Sequence, residues 1–156
     1  MRCSPPVNER ELILDFVRRH RMAVQASTAA NGAPQAAVVG VAVSDRLELV
    51  FDTNVTSRKL LNLRRDPRIA LVLGWDLEEG CTLQVEGLAD EPTGFERMRL
   101  QAVYLTAFTD GAERVGDPNI TYVRVRPTWL RLSDFRTIPP TVIEVELTWP
   151  PGGETA

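Results

Sequence analysis

The dipeptide Asn31-Gly32, set between two runs of strand-forming residues, constrains this chain more than any other feature. Met22-Ala23-Val24-Gln25-Ala26-Ser27-Thr28 leads into it and residues 34–43, rich in Val and Ala, lead away. Asn and Gly suit the positive-φ positions of a tight hairpin turn. The pattern then repeats. Ser44-Asp45-Arg46 turns the chain into a strand over 47–51, Asp66-Pro67 punctuates before a strand over 68–75, and Glu78-Glu79-Gly80 leads into one over 81–89. Residues 120–125 and 129–135 read as strands flanking Pro127, which has no N–H to give and so implies an edge or a bulge. A last strand is predicted over 141–147. Successive hairpins, without long helices alternating between strands, favour an antiparallel barrel over a doubly wound sheet. The expected fold is mainly β: a six- to seven-stranded, Greek-key-like antiparallel barrel with peripheral helices.

Asn8 followed by Glu11 has capping-box spacing, and Leu12, Ile13, Phe16 and Val17 form one apolar face, predicting a helix to about Arg19. A short helix is predicted over 57–64. A longer one is predicted over 92–108, with Phe95, Met98, Val103 and Leu105 among its apolar positions, then a polar loop to Asn119. At 156 residues, one domain is the default. Residues 1–7 are expected to be loose, 8–148 to form the domain, and the Pro/Gly-rich residues 149–156 to be a disordered tail.

A net charge of -3 opposes nucleic-acid binding, which needs a basic footprint. Cys3 and Cys81 form no disulfide framework, and no secretory or membrane-spanning segment is legible, so a reducing cytoplasm is the expected home. The single histidine, His20, lies in the run Arg18-Arg19-His20-Arg21, a poor setting for a general base. Multi-histidine zinc sites are excluded, and any chemistry is expected from a cofactor.

Where that cofactor could bind is indicated by Phe51-Asp52-Thr53-Asn54-Val55-Thr56-Ser57-Arg58-Lys59. An apolar strand gives way to hydroxyl residues, and a short helix opens with two cations. Free N–H groups and the positive dipole end of a helix favour an anion. Thr53 and Ser57 add hydroxyl donors, Arg58 a planar fork, and Lys59 a point charge. Taken alone, the same residues also suit a capped helix with a solvated Arg-Lys pair.

The surrounding residues resemble the pyridoxamine 5′-phosphate oxidase-like family of FMN-binding split barrels. The likeness rests on Asn31-Gly32-x-Pro34, on Phe51-x-Thr53-Asn54-x-x-Ser57-Arg58-Lys59, on Asn62-Leu63-x-x-Asp66-Pro67-Arg68, and on Val85-Glu86-Gly87-x-Ala89, spanning roughly residues 8–135. It implies FMN held non-covalently at a homodimer interface. Arg58 and Lys59, with Ser57, Thr53 and the adjoining Asp52, match the phosphate grip. Val38, Val39 and Gly40 match the strand whose backbone runs along the flavin ring; Gly40 serves either close approach or packing. Thr82 and Gln84 match, loosely, the place of a polar contact to the ring. Trp129 and Arg131 lie in the strand that completes the partner subunit's site, although Trp129 could equally be core and Arg131 a surface ion-pair residue.

The chain also departs from the family's name-giving enzymes. Ala37 and Ala42 stand where an arginine and a lysine are expected, Ser133 stands where a histidine is expected, and no substrate-phosphate motif is recognisable between Phe95 and Asp110. The expectation is therefore an FMN-dependent oxidoreductase acting on another small molecule with some electron donor, and not a pyridoxamine-phosphate oxidase. A non-catalytic or redox-responsive flavin binder, and a deazaflavin- or haem-binding relative on the same barrel, are the alternatives. Trp75, Trp129 and Phe135 are the aromatic residues expected at the dimer interface.

Overall fold

A computed structural model of the protein describes residues 7–150; the expectations for residues 1–6 and 151–156 lie outside the described residues. Eight strands form one antiparallel sheet: β1 Met22–Thr28, β2 Pro34–Gly40, β3 Ala42–Val43, β4 Leu49–Asn54, β5 Arg68–Leu73, β6 Cys81–Asp90, β7 Ile120–Asp134 and β8 Thr141–Glu146. The order is β2-β1-β5-β6-β7-β4-β3, with β8 added to β7. Three α-helices, α1 Val7–Arg19, α2 Arg58–Arg65 and α3 Gly94–Ala107, pack around it. The predicted β-barrel with peripheral helices is the observed fold. No helix among the described residues is long and apolar enough to cross a membrane.

Closure depends on one residue. The strand predicted over 34–43 breaks at Val41, so β2 and β3 lie at opposite ends of the strand order although consecutive in the chain. Val41 is fully buried, and its N–H donates to the Arg21 carbonyl at 2.7 Å. The rolled sheet encloses a core that includes Ile13, Phe16, Val39, Val41, Phe51, Leu71, Leu83 and Leu130. A second cluster, Ala42, Val50, Leu100, Tyr104 and Tyr122, fills the space under α3.

Several boundaries differ from expectation for local reasons. Asn8 lies inside α1 and does not precede it. Leu47 is in a turn at φ 67°, a left-handed conformation rare for a branched side chain, and is held there by burial. The following strand instead extends through Thr53 to Asn54, pairing with Thr121 and Ile120 of β7. Phe95 and Met98, assigned to the apolar face of the second long helix, are exposed; α3 buries Leu100 and Tyr104. Within the expected polar loop, Thr109–Arg114 form a 3-10 turn. The bulge expected at Pro127 is present but does not split the strand: β7 runs unbroken for 15 residues, and the register slips by one where Glu86 faces Trp129 and Gly87 faces Pro127. Trp149, in the expected tail, donates its indole N–H to the Pro127 carbonyl at 2.7 Å.

A buried ion network joins the β3–β4 turn to α3 and β7. Glu48 is 3% exposed and accepts from the Ser44 hydroxyl at 2.9 Å and from Arg99 at 2.8 Å. Arg124, also buried, lies 3.6 Å from Glu48 and bonds Asp90 through two nitrogens at 2.8 and 2.6 Å.

Candidate cofactor site

Ser57 caps α2: in extended backbone at φ -66°, ψ 145°, its Oγ accepts from the Leu60 N–H. Thr53, at the inward-facing end of β4, meets that same Oγ at 2.9 Å. The two hydroxyls therefore bridge the strand end and the helix start, which fixes where Arg58 and Lys59 emerge. Farther along, Asn62 anchors α2 to the hairpin of β1 and β2, donating to Ser27 Oγ at 3.1 Å and to Gln35 Oε1 at 2.8 Å.

Between these elements is a recess of about 300 Å³ lined by Gln25, Ser27, Gln35, Ala36, Ala37, Arg58 and Lys59. Nearby cations are already paired: Arg64 with Glu91 at 2.8 Å and Arg68 with Asp66 at 2.6 Å. Arg68 also holds the Asp66 carboxyl down to about pKa 2. Arg58 and Lys59 have no ion-pair partner among the described residues. Two adjacent uncompensated cations beside a helix start make the recess suited to a doubly charged anion.

Two larger hollows are less suited. One of about 520 Å³ lies between α1, β3 and α3, but there Arg18 is paired with Asp45 at 2.7 Å and Arg21 bonds the Ala107 carbonyl. The other, about 570 Å³, is open on the outer sheet face around Ala26, Ala70 and Leu88.

The remaining expected residues separate into three groups. Val39 points into the core and Val38 outward, 58% exposed. Gly40 is covered by Phe108: a Cβ there would lie 2.9 Å from the Phe108 ring, which would have to shift, so packing favours the glycine. Asp52 faces away from the recess. It accepts from the Tyr104 hydroxyl and from Arg114, both at 2.9 Å, and so fastens α3 and the 3-10 turn to β4. Burial, reinforced by this carboxylate, pushes the Tyr104 hydroxyl well above the usual phenol range.

Thr82, Gln84, Trp129 and Arg131 lie on the outer face of β6 and β7. In register, one row crosses the sheet through Val38, Val24, Val72, Gln84, Arg131 and Glu144. At about 4.8 Å per strand, the four steps from Val38 to Arg131 span roughly 19 Å. The β2 and β7 candidates of one chain therefore do not converge on a single small molecule. Trp129 donates its indole N–H to Glu144 at 2.8 Å, and Arg131 lies 3.9 Å from the same carboxylate. Ser133 is buried and faces Thr82.

Sequence reasoning did not pick out Gln25, Ser27, Gln35 or Asn62 as site residues. The available signal was parity, since Gln25 and Ser27 occupy the same face of β1 as core Ala23.

Solved structures share this architecture. A haem-binding protein from Mycobacterium smegmatis superposes with TM-score 0.77 at 16% identity, over 92% of this chain and 60% of that one. A conserved hypothetical protein from Mycobacterium tuberculosis superposes with TM-score 0.71 at 23% identity, over 98% of both chains. A pyridoxamine 5′-phosphate oxidase-related, FMN binding protein from Nostoc punctiforme gives TM-score 0.66 at 14% identity, covering 94% of this chain and 98% of that one. This chain thus spans three fifths of the haem-binding protein and nearly all of the other two. No curated protein matches. The sequence itself matches the pyridoxamine 5′-phosphate oxidase family from residue 10 to residue 134, from within α1 to the end of β7. With the split barrel and the strand–turn–helix of Thr53 to Lys59 both in place, the chain belongs to that family.

Proposed function

We propose that the protein binds FMN and works as an FMN-dependent oxidoreductase on a small molecule. The observation that carries this reading is the recess beside α2, where Arg58 and Lys59 stand without counter-charge next to the Thr53–Ser57 hydroxyl pair. Arg58 and Lys59 would hold the terminal phosphate, with Ser57 and the first N–H groups of α2 beside it. The edge strand β2 offers free backbone groups to a planar ring, because among the described strands it pairs only with β1. When bound, the flavin supplies hydride exchange; this chain positions it and screens it from water.

The reading includes a homodimer. Val38, Val72, Leu88 and Met22 are 58%, 36%, 50% and 44% exposed on the outer sheet face, apolar surface that a partner would cover. A twofold copy on that face would set Trp129 and Arg131 of one chain against the other chain. Haem on the same barrel is less well supported. His20, the one imidazole, lies tilted against Phe16 with ring centroids 4.3 Å apart and rests against Glu79 just after α1, away from the residues lining the recess.

The test is an absorption spectrum of the purified protein, then anaerobic titration with NADH and NADPH. A flavin band bleached by either nucleotide supports an oxidoreductase. A stable flavin band that neither nucleotide alters points to a binder without turnover, and a Soret band overturns the flavin assignment.

A further inference from the structure

Gln25 is 1% exposed on the inward face of β1, and its Oε1 has no hydrogen-bond donor among the described residues. The neighbouring amide carbonyls are satisfied: Gln35 Oε1 accepts from Asn62 at 2.8 Å, and Asn62 Oδ1 from Arg65 at 3.1 Å. A buried carbonyl without a donor lowers stability, and an aliphatic residue in its place would not carry that cost. Gln25 forms part of the recess wall with Arg58 and Lys59. Its register partner on β2 is Ala37, whose methyl leaves space beside the amide.

The recess therefore presents two cations that lack an anion and one acceptor that lacks a donor. A ligand satisfying all three carries a phosphate with a hydroxyl close by. We propose that Gln25 is a ligand-binding residue whose Oε1 accepts a hydrogen bond from a hydroxyl of a polyol phosphate, the chain that joins phosphate to ring in FMN. This rests on the FMN reading above and adds a recognition element to it. The lone carbonyl in the free protein is the counterpart of that hydroxyl.

The test pairs a side-chain change with a ligand change. FMN and a flavin bearing a phosphoalkyl chain of the same length without hydroxyls are titrated into wild type and into Gln25→Leu, following flavin fluorescence. Wild type should prefer FMN by roughly tenfold, Gln25→Leu should lose that preference, and the hydroxyl-free flavin should bind both proteins within about twofold. The ligand-free variant should melt about 2–4 °C higher, because the unmet carbonyl is gone; this also shows that it folds. Equal FMN affinity in the two proteins, or equal losses for both flavins, overturns the role of Gln25 and leaves FMN binding standing. If wild type binds neither flavin, the FMN reading fails. Thermal shifts with ribitol 5-phosphate and with inorganic phosphate then judge Gln25 alone. Extra stabilisation by the polyol that is absent in Gln25→Leu upholds the role, and equal shifts overturn it.

Discussion

Thr53 Oγ1 and Ser57 Oγ meet at 2.9 Å across the turn from β4 to α2, and this contact fixes where the two free cations emerge. A hydroxyl that both caps a helix and touches a strand end leaves the helix start little freedom to swing. Arg58 and Lys59 are thereby placed before any ligand arrives, which lowers the ordering cost of binding.

Arg58→Ala should weaken FMN binding by about one to two decades, since a hydrogen bond to a charged group contributes roughly 1.5–3 kcal/mol. Riboflavin, without the phosphate, should bind far more weakly than FMN to the wild type and should be almost indifferent to the substitution. Equal affinities for FMN and riboflavin in a quenching titration would contradict a phosphate grip at this helix.

Light scattering at micromolar concentration should return twice the 17.4 kDa of one chain. Val38→Glu, which puts a charge into the exposed aliphatic row of the sheet face, should shift the population toward monomer and weaken FMN binding with it. A monomeric wild type that retains FMN would remove the partner from the site.

Pyridoxamine phosphate should not be oxidised at a useful rate. Ala37 lines the recess and Ala42 is buried under α3, so neither can supply the cation expected at its position. Ser133 is buried against β6. Losing one charged contact to a substrate costs roughly 2–5 kcal/mol, so two such losses remove several decades of kcat/KM. The check is pyridoxal phosphate formation under oxygen with saturating FMN, where turnover of a few per second or more would refute this.

Glu48→Ala should destabilise the fold by about 3–5 kcal/mol, because it leaves buried Arg124 without part of its compensating charge and Ser44 without its acceptor. Chemical denaturation measures this directly. A loss below 1 kcal/mol would mean that Asp90 alone satisfies Arg124.

Asp66 gives a pH signature. Hydrogen bonds from Arg68, side chain first and then backbone, lower its folded value from about 3.8 to about 2. A carboxylate with a depressed folded value adds stability above its unfolded value and loses it as pH falls through the folded one. The contribution is therefore complete above about pH 4 and vanishes toward pH 2. Carboxyl NMR should place the Asp66 midpoint near 2 in wild type and near its ordinary value in Arg68→Ala.

The hairpin order, the three helices and the capping role of Ser57 were legible because each has a local cause in turn chemistry or spacing. The break at Val41 was hidden. Alternation continues undisturbed through Val39, Val41 and Val43, all of them core, while the pairing partner changes from β1 to β4. Pattern reports which face a residue occupies but not which strand lies beside it. Asp52 was placed with the phosphate residues by proximity in sequence, and the pleat turned it to the opposite face. The role of Asn62 needed the α2 docking geometry, since nothing local to 58–65 marks it as the bond to Ser27 and Gln35.

The position of β2 at the end of the strand order has an evolutionary consequence. Its unpaired N–H and carbonyl groups belong to the main chain, and substitution removes neither, proline's lost N–H aside. Side chains along that edge can drift while its donors and acceptors stay where the β1 pairing sets them. A barrel that keeps its register therefore keeps the same main-chain edge while its side chains diverge, as at the 14–23% identity between this chain and structures that share its fold.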